Sequence, residues 1–135
     1  MKVEIATTKD DILQAIALRR DVLVKEFGYS QYQDEPDRYD LDATIYIIKE
    51  NRRVIGTVRV RKDEGIHRIQ RVAIDVKHRK TGVGSLLLQH TVNEHPQLYL
   101  LVPKETIPFY TNNGFHLTGE TKKGKIHTYF RMQNF

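Results

Sequence analysis

Between Gln70 and His90 the chain changes its hydrophobic period once. Val72, Ala73 and Ile74 form a short apolar run of the kind a buried strand needs. Val83, Leu86, Leu87 and His90 then fall at i, i+3, i+4 and i+7, one face of a helix. Pro96 breaks that helix after about Glu94, and Leu98-Tyr99-Leu100-Leu101-Val102 is a second apolar run. Strand, crossover helix and strand in this order predict a parallel pair, and with it a mixed α/β sheet.

The joint between the first strand and its helix is Arg79-Lys80-Thr81-Gly82-Val83-Gly84. Two glycines one residue apart let a backbone approach another molecule closely. The amides of the turn and of the first helical turn lack intrahelical partners, and the helix dipole adds partial positive charge. Arg79 and Lys80 add full charges, so the turn suits a phosphate or pyrophosphate. Taken alone, the same pattern equally fits a glycine-bearing turn before an ordinary helix. A Walker A loop is absent, and Leu87 stands where a dinucleotide fingerprint needs its third glycine.

The remaining elements surround this unit. Lys2 to Ala6 reads as a short strand, and a helix from Lys9 to Glu26 follows Thr8-x-x-Asp11, which resembles a capping box. Residues Tyr29 to Asp42 form a long connection rich in Asp34, Glu35, Asp37, Asp40 and Asp42. Ala43 to Lys49, Val54 to Arg61 and Ile66 to Asp75 make a meander. A short helix between Pro103 and Asn113 precedes two last strands, Phe115 to Thr118 and Lys125 to Met132, which could also pair across a homodimer.

Composition narrows the function. At 135 residues one domain is expected, spanning 1–135. No apolar run reaches the ~18 residues of a membrane span, and the N-terminus reads as a strand rather than a signal peptide, so a cytoplasmic, membrane-free protein is expected. Without cysteine there is no disulfide framework or thiolate metal site. The six histidines show no metal-ligand spacing, so no metal is expected. The net charge of +5 is scattered, with no aromatic-basic motif for nucleic acid, and would serve a polyanionic cofactor equally well.

Arg79-x-x-Gly82-x-Gly84 after Arg71-Val72-Ala73-Ile74 resembles the acyl-CoA pyrophosphate loop of the GNAT superfamily of N-acetyltransferases. Pro108-Phe109-Tyr110-Thr111-Asn112-Asn113-Gly114-Phe115 resembles the closing helix-to-strand phrase of the same family. The helix Arg19 to Glu26 is similar to an Arg-x-x-Val-Phe-Val-x-Glu-Gln signature of its small bacterial ElaA/YjcF-like type, with Leu23 for Phe and Phe27 for Gln. The resemblance implies a GNAT fold: a mixed sheet of about seven strands flanked by about four helices, with the parallel pair splayed apart.

It also implies a reaction, direct transfer of an acetyl group from acetyl-CoA to a primary amine. The pantetheine arm would pair with the backbone of Val72, Ala73 and Ile74. The pyrophosphate would sit on Arg79, Lys80, Thr81, Gly82, Val83 and Gly84, with Ser85 at the edge. Tyr110 occupies the family position of the general acid that meets the CoA sulfur. For the base, Glu26 matches the helix signature, while Gln70 stands where many members carry Glu. His67, Glu64, Asp40, Asp42 or a water relay are the other candidates. The acidic connection favours a small cationic acceptor. Val102-Pro103 replaces the Ala-Gln pair of the related subgroup, which keeps open a second reading: a catalytically weak CoA-binding sensor or interaction module.

Overall fold

The computed structural model describes residues 1–32 and 35–135; the acidic Asp34 lies outside them. Among the described residues seven strands form one sheet in the order β1-β2-β3-β4-β5-β7-β6. They are β1 (Val3–Ile5), β2 (Thr44–Glu50), β3 (Arg53–Asp63), β4 (Ile66–Ile74), β5 (Leu98–Pro103), β6 (His116–Lys123) and β7 (Thr128–Gln133). Among the described residues the α-helices are α1 (Lys9–Arg19), α2 (Val83–Glu94) and α3 (Ile107–Thr111). None is long and apolar enough to cross a membrane.

The sheet is buried on both faces, which explains why β2 is almost wholly apolar. Ile45 and Ile47 pack with Ala15, Leu18 and Val22 under α1, whereas Tyr46 and Ile48 pack with Val83, Leu87 and Leu88 under α2. The period of two thus sends alternate residues into two cores. Thr8 caps α1, its Oγ1 accepting from the Asp11 amide at 3.1 Å, while the Asp11 carboxylate turns away to Lys49 at 2.8 Å.

The helix expected over Lys9 to Glu26 is two structures. After Arg19 the chain continues as a π-helical stretch, Arg20–Glu26, whose wider turn is closed by Phe27 N donating to Val22 O at 3.1 Å. Such wide turns are frequent at functional sites. Strand β6 extends beyond the expected Thr118 to Lys123. It lies at the sheet edge with nearly every side chain exposed, so no alternating apolar signal marks it.

The parallel pair splays as expected. β4 and β5 pair only at His67 with Leu98 and Arg68 with Tyr99. Beyond that point a bulge enters β4: Thr57 faces Ala73 and Arg59 faces Gln70, so Arg71 and Val72 together oppose Val58. Arg71 takes a left-handed conformation, φ 56°. A bulge bends its strand and raises the local twist, and here it carries β4 away from β5.

Candidate active site

The splay leaves a cleft between β4 and β5, floored by the helix-to-strand phrase at Tyr110. Two cavities occupy it. One, of about 380 Å³, is lined by Val72, Ile74, Arg79, Lys80, Gly82, Gly84, Ser85 and Phe109. The other, of about 310 Å³, is lined by Ile69, Gln70, Arg71, Leu100, Val102, Glu105, His127 and three tyrosines, Tyr29, Tyr32 and Tyr129. Phe27, Val72, Thr106 and Tyr110 line both, so the two spaces meet at Tyr110. Burial alone pushes the Tyr110 phenol well above its ordinary value, so it stays a proton donor throughout the neutral range.

The turn into α2 has the backbone that an anion cradle requires. Lys80 (φ 61°) and Gly82 (φ 89°) are left-handed, and Gly82 is the N-cap of α2. Gly82 O accepts from Leu86 N at 2.9 Å, which leaves the amides of Val83, Gly84 and Ser85 as the orphan donors of the first turn. The two glycines have different reasons. A Cβ on Gly82 would meet open space, and only its φ argues for glycine. A Cβ on Gly84 would come within 3.2 Å of the Phe109 ring, so Gly84 lets α2 lie against α3.

Other expected cofactor residues act differently. Ala73 is buried under α1, so Val72 and Ile74 alone of that run present side chains to the cavity. Val83 is a core residue, and the Thr81 hydroxyl donates to His78 O; neither lines a cavity by its side chain. Past Arg68 the backbone of β4 has no partner strand on the β5 side, the edge that an extended ligand would use.

Glu26 faces Arg79 and not Tyr110. The carboxylate accepts both guanidinium ends, Arg79 Nη2 at 2.6 Å, while Arg79 Nε and Nη2 also donate to Ile74 O at 3.2 and 3.1 Å. The Arg79 hydrogen bond holds the Glu26 carboxyl below its usual range. Glu26 lines neither of the cavities that meet at Tyr110. Arg79 also stacks over Phe27, its guanidinium carbon 5.1 Å from the ring centroid. The loop is thereby fastened to the π-helical stretch.

The acidic connection is not a wall of free carboxylates. Arg19 and Arg59 are fully buried, and both reach Asp40: Arg19 as a fork at 2.9 and 2.8 Å, Arg59 at 3.1 Å. Arg59 also donates to Asp37 at 2.5 Å and to Gln70 Oε1 at 2.7 Å. Arg71 donates to Glu35 at 2.6 Å and to Asp37 at 3.0 Å. Burial pushes the Asp40 carboxyl up, but Arg19 and Arg59 outweigh it and hold the group at about 2. Three carboxylates against three arginines leave no net charge there to attract an amine, so these residues lend no support to a cationic acceptor. The three carboxylates have the spacing of a metal cluster, but each is already engaged by a guanidinium.

The remaining base candidates also stand apart. His67 packs against the His95 ring, centroids 4.5 Å apart, at the closed end of the splay. Glu64 lies in the β3–β4 turn with φ 50°. Asp42 lines neither cavity. Glu105 and His127 do line the cavity of about 310 Å³, and neither was expected from the sequence. Glu105 precedes Tyr110 by five residues in a phrase read for its aromatic and proline signals, and His127 follows a glycine-bearing loop with no periodic context.

A splayed parallel pair, a left-handed turn with unpaired amides at the head of α2 and a buried tyrosine between two cavities are the parts of an acyltransferase fold. The profile of the acetyltransferase (GNAT) domain family matches residues 41–117, and the chain belongs to that family. It is 22% identical over 125 residues to the uncharacterized N-acetyltransferase YjcF of Bacillus subtilis, covering 89% of each chain. The Escherichia coli ElaA structure superposes with a TM-score of 0.85 at 21% identity, over 99% of both chains. An aminoglycoside 6'-N-acetyltransferase complexed with coenzyme A has the same fold, with a TM-score of 0.80 at 13% identity over 98% of this chain and 96% of that one.

Proposed function

We propose that the chain transfers an acetyl group from acetyl-CoA to a primary amine by direct attack in a ternary complex. The observation that carries this reading is Tyr110, which lines both the cavity below the α2 turn and the cavity on the acceptor side. The pyrophosphate would rest on the amides of Val83, Gly84 and Ser85 beside Lys80, and the pantetheine arm along the open edge of β4. This is the cofactor whose parent, coenzyme A, the aminoglycoside enzyme of the same fold holds.

The neutral amine attacks the thioester carbonyl carbon, forming the C–N bond. As the C–S bond breaks, the sulfur takes the Tyr110 proton. The nitrogen loses one proton through water, which restores the phenol. Atoms and charge balance as amide plus free CoA thiol. Tyr110 suits this role because burial keeps its proton on throughout the neutral range, so a donor is in place as negative charge develops on the sulfur. Acetyl-CoA itself brings the reactive thioester. Glu26 acts through Arg79 as a positioning residue for the loop rather than as the base.

Calorimetric titration with acetyl-CoA tests the cofactor. The native protein should bind in the micromolar range, and Lys80→Glu, an exposed charge reversal at the cradle, should weaken binding at least tenfold. Gly84→Asp is a poor control because it would also strike Phe109. Absence of binding by the native protein would overturn the enzyme reading.

A further inference from the structure

The acceptor-side cavity contains two unlike environments. Its floor, at Tyr110, Val72, Ile69 and Leu100, is apolar. Its other wall carries aromatic rings and one carboxylate. Tyr29 stands edge-on to His127 at 5.1 Å, His127 meets Tyr129 at 6.4 Å, and the Tyr129 hydroxyl accepts from Gln31 at 2.7 Å, which ties the connection to β7. Pro103 pairs with Tyr129 across β5 and β7, which places Glu105, two residues on, beside these rings. Tyr29 senses it: after burial, the Glu105 charge is the next cause holding the Tyr29 phenol above its ordinary value.

The charges of this cavity are unequal in availability. Arg71 is neutralised by Glu35 and Asp37 and lies over the Tyr32 ring at 3.9 Å, a cation–π contact already formed within the same cavity. Glu105 is exposed, and no ion pair among the described residues involves it. A carboxylate with aromatic faces attracts a cation. A reacting amine, however, must be neutral, and a carboxylate against it would keep it protonated, whereas an apolar floor favours the neutral form. One nitrogen cannot satisfy both environments.

We propose that the acceptor is an amine with a second, non-reacting cationic group. Glu105 and the faces of Tyr29 and Tyr129 hold that second charge, while the reacting nitrogen sheds its proton to water and lies against Tyr110. This substrate class rests on the N-acetyl transfer reading, and the test separates the two. Linear α,ω-diaminoalkanes and primary alkylamines of the same chain lengths are titrated into the CoA-saturated protein, and their kcat/KM values are measured with acetyl-CoA. The diamines should bind and react about tenfold better or more, with the advantage in KM. Glu105→Gln should close that gap, and Glu105→Asp should keep part of it. Equal binding of diamine and monoamine, or a gap that persists in Glu105→Gln, overturns the proposal. Diamine binding that depends on Glu105 without any acetylation keeps the site and overturns the transfer reading instead.

Discussion

A phenol that keeps its proton near neutrality lies where two cavities meet, and that makes Tyr110 the sharpest single test of the proposed reaction. Tyr110→Phe should lower kcat by about 10²–10⁴-fold, the range of one general acid, with acetyl-CoA affinity by calorimetry unchanged. Glu26 should behave in the opposite way. Its pair with Arg79 is partly exposed, so Glu26→Gln should cost no more than about fivefold in kcat/KM, the value of about 1 kcal/mol for such a pair. The pH profile should keep its shape, measured from mildly acidic to alkaline pH at saturating acetyl-CoA. Loss of the acidic limb together with a drop of hundreds-fold would instead make Glu26 the base. The place of Tyr110 was expected through the family likeness of its phrase, in which Phe109-Tyr110 stands just before Gly114-Phe115. The pairing of Glu26 with Arg79 was not legible, because which way a carboxylate turns depends on an arginine 53 positions away in the chain.

Elements explain more of the same contrast. The strand–turn–helix unit was readable because its parts are local: an apolar run, two glycines, and a 3.6-residue period. The splay was readable only through family likeness, since its physical cause is a bulge at Arg71 and Val72, and a bulge leaves the local pattern of β4 intact. The buried arginines were the missed signal. Arg19 follows Ile12, Ala15 and Ile16 on the helix face that enters the core, and Arg59 lies between buried Val58 and Val60. A guanidinium in such a position demands carboxylates, and the acidic connection was the nearby supply. Between α2 and α3 the contact at Gly84 carries its own prediction. Gly84→Ala places a methyl 3.2 Å from the Phe109 ring, and this crowding should offset the roughly 1 kcal/mol of helix propensity that alanine adds, so urea titrations should show no gain in stability. Because Phe109 neighbours Tyr110, any shift of the ring should be read in kcat as well.

Across the whole molecule the buried ion cluster joins parts that the sequence keeps far apart: α1 through Arg19, β3 through Arg59, β4 through Arg71, and the connection through Glu35, Asp37 and Asp40. It holds the connection that carries Tyr29 and Tyr32 against the sheet, so fold stability and the cavity that these tyrosines line share one set of contacts. Its pH dependence has a definite sign. Asp37 and Asp40 have folded values below their unfolded ones, burial being outweighed by Arg59 for Asp37 and by Arg19 and Arg59 for Asp40. Their contribution is therefore complete above about pH 4 and is lost as the pH falls toward about 2. Burial and the neighbouring His67 hold His95 below its ordinary value, so its contribution begins to fade earlier, as the pH drops below about 6.5. The urea midpoint should thus decline gently from neutral pH and steeply below pH 4. Asp40→Asn leaves Arg19 and Arg59 short of a buried partner and should cost about 3–5 kcal/mol at neutral pH, flattening the steep acidic limb. Retention of that limb in Asp40→Asn would show that the cluster does not govern acid unfolding. If the limb flattens, loss of tyrosine fluorescence anisotropy at the same pH would tie unfolding of the cluster to release of the acceptor-side wall.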